Sequence, residues 1–513
     1  MCPASRITRA MLTEIRLRLD NLESEFRRIA ECEWDAIAVS SYFAPSDLSS
    51  PSPGRCSLAA STAKLLETCS RALKIGGLLF VYGAPRYLPA YAELLDKLGG
   101  EGWKLAFKYW NAVQLHESDR AQTLHPSHAG ILLFHKVARG RNTPFRLGVV
   151  RIPHSYCSAC GRNVRDWGGK KHLMNPNGSA LSDVWTDLPM RPLADNRMPD
   201  DVLQRVNALA GGRLLHVVEM GSPVGTTPRG CSTEGQAQWP ASTAYRQRKL
   251  PIDRIELADC VDFMEGLLPR YAHNAFDLIF ADPPYNLEKL YTNYTDAQAE
   301  EEYLAWCDRW LRLCSQLLKP GGAMFVLNLP KWALSHARTL DGLLEFRHWI
   351  AWQALAEPRG KLLPAHYALL YYTKPGGEPV FNYEDCPDSP DYCLRTDCVK
   401  KRKALGDDRK APLTDVWFDV HRIRHKRDRD YHPCQLPEKL LKRIILLASN
   451  PGEVVFDPFC GVGTTAVVAR RLGRHFVTTD VDSRYVNIAT RKLEGSHPPQ
   501  GTRRARSLTA HVM

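Results

Sequence analysis

The chain has 513 residues, room for several domains at about 100–200 residues each, and its 44% hydrophobic and 24% charged content is that of an ordinary packed protein. A net charge of +12 points to a polyanionic partner, most simply nucleic acid. Fifteen cysteines, an odd number, are too sparse for a disulfide scaffold and read as reduced thiols in a cytoplasm. No apolar run approaches the ~18 residues of a membrane span and no signal-peptide pattern opens the chain, so a secreted or integral membrane protein is not expected.

In chain order, the first thirty residues are charged and helix-like. Ser46–Ser61 is a Ser/Pro-rich loop, and Gly76–Ala84 has the length of a buried strand. Four segments then recur in the same order. Trp34-Asp35-Ala36-Ile37 matches Phe276-Asp277-Leu278-Ile279, and Leu73-Lys74-Ile75-Gly76-Gly77 matches Leu318-Lys319-Pro320-Gly321-Gly322. Leu181–Asp187 matches Leu413–Asp419 at five of seven positions, and Val224–Thr227 matches Val462–Thr465. Collinear matches of this kind predict a tandem duplication. The expected units are residues 1–228, a linker at 229–250, a second unit at 251–495 and a basic tail at 496–513.

Each unit alternates apolar strands with amphipathic helices, which predicts an α/β fold with a mainly parallel, doubly wound, Rossmann-like sheet. In the second unit the expected elements are the strand Phe276–Ala281, the helix Glu300–Leu318 and the strands Ala323–Leu327 and Tyr367–Thr373. The helix Pro437–Ser449, the strand Val454–Asp457 and a helix from Thr464 follow.

Two loops of the second unit carry chemistry. In Asp457-Pro458-Phe459-Cys460-Gly461-Val462-Gly463-Thr464 a strand enters a Gly-x-Gly turn before a helix, where glycines allow close backbone approach to a ligand. Asp480 ends the next strand and is positioned to accept hydrogen bonds from ribose hydroxyls; a tight turn without a ligand is the plain alternative. Asp282-Pro283-Pro284-Tyr285 follows the strand Phe276–Ala281. Its prolines stiffen a loop that offers a carboxylate, carbonyls and an aromatic face, a setting suited to gripping an exocyclic base amine.

These motifs together, over Ile255–Leu493, resemble the S-adenosylmethionine-dependent DNA amino-methyltransferases, and their order resembles that family's β class. The resemblance implies the cofactor S-adenosylmethionine, held by Asp259, Cys260, Asp457, Phe459, Gly461, Gly463, Thr464 and Asp480. It implies catalysis by Asp282, Pro283, Pro284 and Tyr285, with the flipped base stacked on Tyr285. His432–Pro437 resembles the family's His-Pro-Thr-Gln-Lys-Pro segment with two changes. Pro433-Cys434-Gln435 also resembles the nucleophile of cytosine-C5 enzymes, but it stands at the amino-class position.

The implied activity is site-specific methylation of duplex DNA at adenine N6. The rivals are cytosine N4, an RNA amine, and a non-catalytic DNA-binding module. A cognate endonuclease in a restriction–modification pair is a possible partner, and the protein is either a monomer acting as a pseudo-dimer or a homodimer.

In the first unit the catalytic loop aligns with Ser40-Ser41-Tyr42-Phe43 and the cofactor loop with Glu219–Thr227, where Pro223 replaces the first glycine. That copy is expected to be catalytically dead. It keeps Cys157-Ser158-Ala159-Cys160-Gly161, half of a zinc site by spacing, although free thiols are the plainer reading. Cys386, Cys393 and Cys398 of the second unit are candidates to meet it.

The expected target-recognition segment is about 376–431. Within it, residues 395–429 carry twelve Lys/Arg against six Asp. Lys400, Lys401, Arg402, Lys403, Arg422, Arg424, Lys426 and Arg427 are the expected phosphate contacts; a solvated charged loop is the alternative.

Overall fold

The computed structural model describes residues 12–17, 22–30, 32–40, 60–115, 124, 127–154, 156–157, 160–163, 175–189, 197–220, 250–287, 296–354, 362, 364–383, 386, 389–390, 396–406, 410–411, 413–420, 422–423 and 435–495. The expected linker (apart from Leu250) and the basic tail lie outside them, as do Ser41–Phe43, residues 221–227 and His432–Cys434.

The C-terminal sheet has eight strands in the order Arg254–Leu257, His475–Asp480, Val454–Asp457, Phe276–Ala281, Leu318–Asn328, His366–Thr373, Glu345–Gln353 and Val416–Trp417. The first five run parallel; His366–Thr373 is antiparallel to both its neighbours. Alternate side chains divide between two layers, as period-two strands require. Ile279, Met324, Phe456 and Val477 pack with the helices Cys260–Tyr271, Glu300–Leu317 and Pro330–Asp341. Leu278, Phe325, Val455 and Phe476 pack with Glu438–Ala448 and Thr464–Arg471. Helices therefore cover both faces, and the expected elements stand within a few residues of their predicted ends.

The N-terminal sheet also has eight strands. The principal order is Leu12–Leu17, Leu215–Met220, Trp34–Ser40, Leu73–Gly83, His128–Ala138 and Trp103–Gln114, with Val184–Trp185 pairing parallel to the last. This is the C-terminal order without a counterpart of His475–Asp480, because Leu12–Leu17 pairs directly with Leu215–Met220. The register irregularities repeat: Trp34/Ala36 matches Phe276/Leu278, and Phe107/Tyr109 matches Phe346/His348. A buried lysine also repeats. Lys136 Nζ donates to the carbonyls of Ser70 and Leu73, and Lys374 Nζ to those of Ser315 and Leu318.

Two expectations at the N-terminus are corrected. Leu12–Leu17 is a strand rather than helix-like, since six residues fit either period and the pairing with Leu215–Met220 decides. The predicted loop Ser46–Ser61 gives way to a helix, Ala60–Ala72, at its last two residues.

The two halves pack reciprocally. Trp110 and Trp349 stack with centroids 3.7 Å apart. Asp415 accepts from the Ser127 amide and hydroxyl and lies 3.0 Å from His128 Nδ1. In return Asp183 accepts from the Ala365 amide at 2.7 Å and lies 3.0 Å from His366 Nδ1. Ala112 and Val184 close against Ala351 and Val416. Each half thus offers the other the same patch, the arrangement of a twofold interface.

Candidate active site

The strands Phe276–Ala281 and Val454–Asp457 are adjacent and parallel, so both motif loops leave the same end of the sheet, where open α/β sheets bind ligands. They line one cavity with Ala258–Cys260, Gln435, Leu436 and Asp480–Asp482. Of the twelve residues expected to bind cofactor or perform catalysis, all but Gly463 line it.

The glycine loop is organised by two carboxylates. Asp457 Oδ1 accepts from the Phe459 amide at 2.9 Å, and its Oδ2 from the Thr465 hydroxyl at 2.5 Å. Asp480 Oδ2 accepts from the Gly461 amide and its Oδ1 from the Asp482 amide, both at 2.8 Å. Burial pushes both carboxyls up to about 6. The charge of Asp480 adds to this at Asp457, and that of Asp482 at Asp480, while the hydrogen bonds oppose it. A concave site holding two buried carboxylates suits a ligand that brings hydroxyl donors and positive charge.

Gly463 is the one of these residues that does not line the cavity. Its φ is +79°, and a Cβ there would stand 2.5 Å from the Cβ of Ala489 on the helix Ser483–Glu494. This glycine exists for close helix packing, whereas Gly461 faces the cavity. Gly463→Ala is expected to cost about 2–4 kcal/mol in chemical denaturation, from overpacking plus the left-handed backbone. Ala489→Gly in the same chain should recover part of that loss; no recovery would show that the contact with Ala489 is not the cause.

Asp259 caps the helix Cys260–Tyr271, its Oδ1 accepting from the amides of Val261 and Asp262. It both starts the helix and lines the cavity, so the cap fixes where its carboxylate stands. Cys260 is buried beside it, and burial drives its thiol far above the ordinary range.

In the proline loop Tyr285 donates its hydroxyl to Asp282 Oδ1 at 2.5 Å. The Tyr285 ring is only 8% exposed and tilts against Tyr367, with centroids 5.7 Å apart. The tyrosine therefore orients the carboxylate in addition to offering a ring face. The loop is clasped from outside: Tyr303 donates to the Pro284 carbonyl and Trp332 Nε1 to the Tyr285 carbonyl. Asn286 takes a φ of +53°, and buried Asp296 accepts from the amides of Asn286 and Leu287. These clasping residues lie outside both motifs. Asn286, next to the motif and tolerant of left-handed backbone, was the available signal. Trp306, Val481, Asp482 and Tyr485, which complete the cavity wall, carried none.

The basic segment is divided. Lys400 and Lys401 are exposed on the helix Thr396–Ala404, but Arg402 is 4% exposed, which corrects its assignment as a phosphate contact. Arg422 is half-buried; Arg424, Lys426 and Arg427 lie outside the described residues, as does the side chain of Lys403. Asp415, Trp417 and Asp419 within the same span are core. Arg443 donates to both oxygens of Asp419, at 2.9 and 2.6 Å.

Comparison with known proteins identifies the family. A family model described as DNA methylase matches residues 276–491. The Type II methyltransferase M.BamHI of Bacillus amyloliquefaciens is 36% identical over 237 residues, 44% of this chain and 54% of that protein. The DNA adenine methyltransferase YhdJ of Escherichia coli K12 is 32% identical over 243 residues, 44% of this chain and 79% of that protein. Among solved structures, the M1.HpyAVI–SAM complex aligns at 21% identity over 47% of this chain and 98% of that one, with a TM-score of 0.34. The chain belongs to the DNA methylase family. It spans about half the length of M.BamHI and most of YhdJ.

Proposed function

We propose that the protein transfers a methyl group from S-adenosylmethionine to an exocyclic amine in duplex DNA, adenine N6 before cytosine N4. The observation that carries this reading is one cavity lined by Asp282–Tyr285, Asp457–Gly461 and Asp480. The relatives' names favour DNA over RNA, and YhdJ's name favours adenine.

The donor set fits the cofactor. Asp480 is suited to take ribose hydroxyls, Asp259 offers a further carboxylate on the same cavity, and Asp457 would supply negative charge for a cationic ligand. When bound, S-adenosylmethionine supplies an electrophilic methyl on a sulfonium. The chain's own residues then do the rest. Asp282 accepts hydrogen bonds from the base's amino group, which localises the nitrogen lone pair. The Pro283 carbonyl is a second acceptor for the same amine. The Tyr285 hydroxyl fixes the Asp282 rotamer, and the clasp from Asp296, Tyr303 and Trp332 keeps the loop from moving away. Positioning and electrostatics are the levers.

Radiolabelled methyl transfer to unmethylated genomic DNA, with the product nucleoside identified, tests this. N6-methyladenine is the expected product. N4-methylcytosine would move the base assignment, and transfer to RNA alone would overturn the substrate.

Cofactor affinity should depend on pH. The folded Asp480 carboxyl lies near 6, above its unfolded value of about 3.9. Its ionised form therefore costs the ligand-free fold stability above about pH 6, and that cost is relieved as pH falls towards 4. Ribose hydroxyls donate to ionised Asp480 and Asp457 must ionise to supply its charge, so binding should be constant above pH 7 and weaken about tenfold to a hundredfold per unit below 6. Calorimetric titration across pH 5–8 measures this; a flat profile would remove Asp480 from the ribose.

We further propose that the N-terminal half is a duplicated, catalytically dead copy serving as a built-in partner of the active half. The shared strand order, repeated irregularities and reciprocal Asp–His pairs support this. A cytoplasmic location and a cognate endonuclease belong to the same proposal.

A further inference from the structure

We propose that Cys157, Cys160 and Cys398 hold a structural zinc ion that fastens the basic helix Thr396–Ala404 to the N-terminal half. The three sulfurs, separated by up to 241 positions in the chain, lie within 4.8 Å of one another. Cys157 Sγ and Cys398 Sγ are 3.9 Å apart, close to the ~3.8 Å edge of a tetrahedron with Zn–S of about 2.3 Å.

Tyr156 and Asn163 form an antiparallel bridge, the Cys157 amide donates to the Arg162 carbonyl, and the Gly161 amide donates to the Cys157 carbonyl. Gly161 has a φ of +64°, which allows the chain to reverse directly after Cys160. Cys398, from the first turn of a helix in the other half, meets both.

Packing strengthens the argument. Among the described residues, this is a separate buried cluster of Cys157 and Cys398 with Cys160 against it, and no other apolar side chain joins it. Thiolate–zinc bonds across this cluster would join the two segments directly. Soft sulfur donors select zinc over hard cations such as magnesium. Binding releases the thiol protons to solvent, one for each cysteine that ligates as a thiolate. A fourth ligand completes the tetrahedron. The site also gives the exposed Lys400 and Lys401 a rigid base, since they follow Cys398 by two and three positions.

The full chain, purified under reducing conditions and with zinc in the growth medium, should contain about one zinc per molecule by elemental analysis. Cys157→Ser and Cys398→Ser should each lose most of it, while Cys32→Ser, far from the cluster in sequence, keeps it. Metal-free protein of full length titrated with cobalt(II) should show thiolate-to-metal charge transfer and the intense visible bands of a tetrahedral site. That readout stands even if a serine variant fails to fold. Folded, reduced protein that takes up neither metal, or full zinc retention in Cys398→Ser, would each overturn the proposal.

Discussion

Replacing Asp282 with alanine is expected to lower the single-turnover rate of methyl transfer by roughly 10³-fold, the range seen when one preorganised polar group is removed from a reacting centre. Cofactor affinity should stay within about twofold, because Asp480 and Asp457 keep their own amide and hydroxyl partners. Tyr285→Phe separates orientation from contact. It leaves the ring but removes the hydroxyl that donates to Asp282 Oδ1, and a loss of about tenfold is expected. Rapid-quench methylation beside calorimetric cofactor binding measures both. An Asp282→Ala enzyme retaining a tenth of the wild-type rate would remove the carboxylate from the chemistry.

The second large effect concerns stability. Asp415→Ala should cost about 3–5 kcal/mol in chemical denaturation, because it strands His128 and Ser127 in a buried interface between the halves. Burial alone would raise the Asp415 carboxyl, but the facing His128 and His348 hold it well below the usual carboxylate range. Its folded pKa is therefore depressed. The stabilisation is fully present above the unfolded value near 4 and is lost as pH falls below it. Asp183→Ala, which strands His366 in the mirrored position, should cost a similar amount. A loss under 1 kcal/mol for either would show that the halves do not depend on these pairs.

Both motif loops are legible in the sequence because they are local: a strand end, a few special residues and a helix start lie contiguous in the chain. Asp282 stands out through its proline loop and Asp480 through its distance from the glycines, and both line the one cavity. The clasp on the proline loop could not, since Tyr303 and Trp332 arrive from helices whose apolar pattern says only that they face a core. The same holds for Gly463, whose neighbour Ala489 is 26 positions away. Charge counting overreached at residues 395–429. A run rich in Lys and Arg looks uniformly solvated, yet it contains the buried Arg402, Asp415 and Asp419. Composition reports charge, and only tertiary contacts report which charges are already neutralised inside.

The reciprocal interface between the halves lies within one covalent chain. Two separate chains joined by such a patch would come apart on dilution, and their activity would then rise with the square of protein concentration. Here the local concentration of one half around the other is set by the chain itself and never falls. Specific activity should therefore be the same at nanomolar and micromolar enzyme, so a cell holding only a few copies would have every one of them assembled.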